Sequence, residues 1–78
     1  MYKYKLNLIT FGDCKKLVRV MTENNINAKL IDSNGYCVSA KSILGTAVAM
    51  FEWDDISIVS DTDIYTLISD LITTGSKK

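Results

Sequence analysis

Cys14 is followed directly by Lys15 and Lys16, with Arg19 one helical turn further on. A thiol at a helix start beside ammonium groups is pushed toward the thiolate, which is a nucleophile and a conceivable substitute phosphoryl acceptor. The same cysteine also falls on the stripe Cys14, Leu17, Val18, Met21, where it would act as a small hydrophobe. Lys15, Lys16 and Arg19 form a basic cluster that suits an anion or an acidic partner, and equally a solvated helix face. Ser42 stands before an apolar run, the position of a helix cap, where free N–H groups and the positive end of the dipole could also receive a phosphate. Asp54-Asp55 and Asp61-Thr62-Asp63 lack the spacing of a calcium loop and read as turn and cap residues.

Absent residue types narrow the chemistry further. The chain has no histidine, hence neither the commonest general base nor the commonest transition-metal ligand. No metal site and no cofactor are expected. Nine basic and nine acidic side chains cancel, so no whole-molecule field draws the chain to nucleic acid or to an acidic membrane. The charges are segregated along the sequence: residues 1–41 carry seven basic and three acidic groups, the remainder two and six. No apolar run is long enough to span a bilayer, and no apolar leader precedes the first alternating segment. Cys14 and Cys37 are therefore expected as free thiols in a cytoplasmic protein.

The elements that must position these groups follow from periodicity. At 78 residues with 47% apolar content, a single domain over residues 1–78 is expected. Tyr2, Tyr4, Leu6 and Leu8 alternate with Lys3, Lys5 and Asn7, predicting a strand to about Thr10 with its lysines in solvent. Asp13 is the expected cap of a helix from Cys14 to about Asn25, with Asn24-Asn25 as its stop. Residues 27–32 and 36–40 read as two strands joined through Asn34-Gly35, the pair favoured by a type I′ hairpin. Ser42 opens a second helix carrying Ile43, Leu44, Ala47, Val48, Met50 and Phe51, weakened by Gly45 in its first turn. Residues 55–60 alternate as a fourth strand. Asp61-Thr62-Asp63 opens a third helix with the stripe Ile64, Leu67, Ile68, Leu71, Ile72, ended by Gly75 ahead of a frayed Ser76-Lys77-Lys78 tail. The order βαββαβα predicts an α+β open-faced sandwich, a four-stranded antiparallel sheet with three helices on one face.

That order, and above all Asp32-Ser-Asn-Gly-Tyr-Cys-Val-Ser-Ala-Lys-Ser-Ile-Leu-Gly45, resembles the HPr family, the histidine-containing phosphocarriers of the bacterial sugar phosphotransferase system. Lys41-Ser42-Ile43-Leu44-Gly45 is similar to the segment that opens the second helix of that family. The resemblance implies a regulatory phosphorylation site at Ser42 and a protein-docking surface over Ile43, Leu44 and Ala47, with Lys16 and Arg19 beside it. Implied partners are phosphotransferase-system enzymes, an HPr-directed kinase or a catabolite-control regulator. The departure lies between the first strand and first helix, where Phe11-Gly12-Asp13-Cys14-Lys15-Lys16 is shorter than the family's acceptor segment and lacks its histidine and proline. No neutral nucleophilic nitrogen replaces the imidazole, because Lys15 and Lys16 are protonated at pH 7. The expectation is a non-catalytic HPr-like domain regulating carbohydrate uptake or metabolism through protein contacts; a phosphoryl carrier or thiol protein using Cys14 is the alternative.

Overall fold

The computed structural model describes residues 1–72, whose elements run β1 (Tyr2–Leu6), α1 (Phe11–Glu23), β2 (Ala28–Ile31), β3 (Cys37–Ser39), α2 (Ile43–Glu52), β4 (Ile56–Ser60), α3 (Tyr65–Ile68) and a closing 3-10 turn, Ser69–Leu71. The four strands form one sheet in the order β1-β4-β2-β3, and every pairing is antiparallel. The expected α+β class and the element order are both present.

Strand alternation gives the sheet two unlike faces. Opposed residues in register share a face, so Tyr4, Ile58, Leu30 and Val38 form one row, and Lys3, Val59, Lys29 and Ser39 form a row on the other side. The first face carries buried Leu6, Ala28, Leu30, Ile56 and Ile58. These join Cys14, Leu17 and Met21 of α1, Ala49 of α2, and Ile64, Ile68 and Leu71 around α3 in a single core. Among the described residues, helices cover that face alone and leave the second open.

Thr10, rather than Asp13, begins α1. The Thr10 hydroxyl accepts from the Asp13 N–H at 3.2 Å, while the Asp13 carboxylate accepts from the N–H groups of Ile9 and Thr10 at 2.9 and 3.1 Å. This capping box starts the helix three residues before the expected position and shortens β1 to Leu6. Those two backbone donors hold the Asp13 carboxyl below its ordinary range. The expected stop at Asn24-Asn25 is present. Asn25 takes a left-handed φ of 51°, and the N–H groups of Asn25 and Ile26 bond the carbonyls of Thr22 and Met21, with the Ile26 and Met21 side chains both buried in the core.

The hairpin departs from the expected type I′ turn, which needs positive φ at both central residues. Only Gly35, at φ 93°, has it. Its N–H bonds the Asp32 carbonyl, Asp32 N–H bonds the Tyr36 carbonyl, and the Asp32 carboxylate accepts from the N–H groups of Asn34 and Tyr36. The result is a longer loop organised by the Asp32 side chain.

The third helix is also shorter than its apolar stripe suggests. It gives way to the 3-10 turn, and Ile72 turns extended to form a β-bridge with Leu6. Asn7 N–H bonds the Leu71 carbonyl at 2.7 Å, so sheet-edge pairing overrides helical propensity here. Leu67 is left at the surface, while Gly75 and the expected tail lie outside the described residues.

Tyr4 ties β1 to this end of the chain. Its hydroxyl donates to Asp63 at 2.7 Å, and its ring lies 5.9 Å from that of Tyr65. Donation to the Asp63 carboxylate, aided by desolvation, pushes the Tyr4 phenol up to about 12. The folded pKa exceeds the unfolded one near 10, so the stabilisation is complete below about pH 10 and is lost as pH rises through 12. In an alkaline titration followed by tyrosinate absorbance, a component near pH 12 is expected from Tyr4, and Asp63→Asn should return it toward about 10.

Candidate functional site

Helix α2 brings the expected site residues together. Ser42 is its N-cap in fact as in expectation: its own backbone is extended, and its Oγ accepts from Gly45 N–H at 3.1 Å. Gly45, expected only as a weak point, has a packing reason. A Cβ there would stand 3.1 Å from the Val38 Cβ, so the first turn of α2 lies against β3 because residue 45 has no side chain.

The apolar residues of α2 divide by side. Thr46 and Ala49 are buried, Ile43 and Met50 pack half-buried against the core, and Ala47 is half-buried. Leu44, Val48 and Phe51 are 78%, 45% and 75% exposed, a stripe at i, i+4, i+7 that points into solvent. Of the three expected docking residues, Leu44 alone is fully outward. The sequence reading missed Val48 and Phe51 as surface residues, although their spacing from Leu44 was the signal. Trp53, just past the helix, is half-buried and stacks on Tyr36 with ring centroids 6.5 Å apart, extending an aromatic border beside the stripe.

Helix α1 supplies the basic flank. Gly12, Lys15, Lys16, Val18, Arg19 and Ile43 line a shared groove where α1 faces the start of α2. Lys15 and Arg19 are exposed, but Lys16 is not free for a partner as expected: it pairs with Asp70, the only ion pair among the described residues. That bond holds the Asp70 carboxyl below its ordinary range.

Cys14, read from the sequence both as a reactive thiol and as a small hydrophobe, lies inside the core. It is the fourth residue of α1 and points inward, with no exposed surface. Its sulfur lies 3.8 Å from the Thr46 carbonyl and 3.6 Å from the Met50 sulfur, packing α1 against α2. Burial, with the Asp13 charge nearby, pushes the thiol up, opposite to the direction expected from the helix start and the lysines. The small-hydrophobe role is the one the geometry supports. Cys37 is exposed on β3. Among the described residues no group of three His, Cys, Asp or Glu side chains is placed to hold a metal ion, and no helix is long and apolar enough to cross a membrane.

The arrangement is thus an exposed apolar helix stripe with a capping serine at its head and a basic groove alongside. Compared with family models, curated proteins and solved structures, the chain matches none.

Proposed function

We propose that this chain is a non-catalytic HPr-like domain that acts through protein contacts in the regulation of carbohydrate uptake or metabolism, in a cytoplasmic setting. The observation that carries the reading is the solvent-facing stripe Leu44, Val48, Phe51 on the helix headed by Ser42. A monomer gains nothing by holding two large apolar side chains three-quarters exposed on one helix, whereas a partner that buries them gains hydrophobic free energy. The element order βαββαβα and the antiparallel sheet agree with the family that residues 32–45 resemble. The partners proposed are phosphotransferase-system enzymes, an HPr-directed kinase or a catabolite-control regulator.

Ser42 is the proposed switch. A phosphate at the N-cap would meet the first-turn N–H groups and the positive end of the α2 dipole, while placing about −1.5 to −2 charge beside Leu44. The dianion would repel acidic partners and recruit arginine-bearing ones. Incubating the wild type and Ser42→Ala with an HPr-directed kinase and ATP, then mapping phosphate by mass spectrometry, tests this. Modification of the wild type alone, at Ser42, is expected. No modification, or equal modification of both, would leave Ser42 as a helix cap and remove the switch.

A further inference from the structure

The open face of the sheet is a second surface, independent of α2. Register places eight side chains on it in two rows: Lys3, Val59, Lys29 and Ser39, then Lys5, Ser57, Ile31 and Cys37. Three are lysines and none is acidic, in a chain whose charges cancel overall. Lys3, Lys5 and Lys29 are exposed and form no ion pair with any described residue. Between them, half-buried Val59 and Ile31 make an apolar floor, and Ser57, only 5% exposed, lies between Lys5 and Ile31 in the central strand. Carboxylates stand at the two ends of the face, Asp32 and Asp55 at one and Asp61 at the other. Asp32 and Asp55 already accept hydrogen bonds from the hairpin loop.

We infer that this face docks an acidic, extended segment of a partner protein, one with a carboxylate at every second residue. The geometry selects the shape of the ligand. Lys3 and Lys5 project from one strand two residues apart, about 7 Å, the repeat at which an extended peptide presents successive side chains on one side. Lys29 lies two strands across from Lys3, about 10 Å away, and the apolar Ile31 and Val59 between the lysines pack against the methylene groups of the segment's acidic side chains. The flanking carboxylates repel acidic groups at both ends and so limit the register. A single-stranded nucleic acid fits less well, because none of the eight positions is aromatic and the bases would find no stacking platform.

The test is an amide-resonance titration of the nitrogen-15-labelled chain with a decapeptide alternating glutamate and valine. Saturable shifts are expected in residues 3–5, 29–31, 37–39 and 57–59. Lys3→Gln, Lys5→Gln and Lys29→Gln combined should weaken binding about tenfold or more while leaving thermal unfolding unchanged, and arginine at all three positions should restore it. Leu44→Asp should leave this binding intact, which separates the face from the α2 stripe. Shifts confined to α1 and α2, equal binding by the glutamine variant, or a stronger response to oligothymidylate or to phosphatidylserine-containing vesicles would each overturn the inference.

Discussion

Ile58→Ala is expected to cost about 3 kcal/mol, lowering the melting temperature by roughly 15 °C in a domain of this size. Ile58 is fully buried at the middle of β4, opposed by Tyr4 on one side and Leu30 on the other. Its loss leaves a cavity that the two flanking strands cannot close without breaking register. Total stability is about 4 to 12 kcal/mol for a chain of this length, so the loss removes about a quarter to three quarters of it. Val59→Ala, one residue on and on the open face, should cost less than about 1 kcal/mol. Thermal denaturation of both proteins checks the two-faced sheet directly. Equal losses would mean that the second face is also packed.

The largest expected effect on binding comes from Leu44→Asp combined with Phe51→Asp. Both side chains are about three-quarters exposed, so the folded state loses little, within about 0.5 kcal/mol for each. Buried in an interface they would be its anchors, and replacing both with carboxylates should weaken a partner by about 30-fold or more. If the HPr-directed kinase docks on this helix, its kcat/KM toward Ser42 should fall accordingly although Ser42 itself is intact. An unchanged rate, with unchanged melting, would place the contact elsewhere. Thr46→Asp is not a usable probe, because Thr46 is fully buried and its hydroxyl already lacks a partner among the described residues.

What could be read in the sequence was what local periodicity and capping chemistry determine. The lysine alternation of β1, Ser42 at the head of α2 and the asparagine stop of α1 depend on neighbours within a few residues, and each stands where it was expected. The errors came from competition. Thr10 and Asp13 are both good caps, and their reciprocal bonding moved the helix start forward. Asp32 captured the backbone donors of the hairpin and lengthened its loop. Ile72 belongs to a helical stripe by spacing but to the edge of β1 by contact, a long-range pairing that no local window contains. For the site, Leu44 was named while Val48 and Phe51 were not, since a helix apolar around much of its girth does not announce which side faces water. Lys16 and Cys14 look available in the sequence; Asp70, 54 residues on, and Thr46 and Met50 on α2 take them out of play.

Strand order has a consequence in time. The two central strands are β4 and β2, and β4 is the last strand among the described residues, pairing Tyr2 with Ser60 and Leu6 with Ile56. Until residues 56–60 are made, β1 has no partner and the β2–β3 hairpin is an isolated two-stranded piece, marginal on its own in water. The hairpin and α1 can form early from local contacts, but the sheet closes only by joining segments some fifty residues apart, which makes folding slow relative to a helical bundle of this length. A ribosome-bound chain therefore exposes the Leu30 edge and the Leu17–Met21 side of α1 at once, so the period before β4 emerges is when this protein is most exposed to aggregation and most in need of a chaperone.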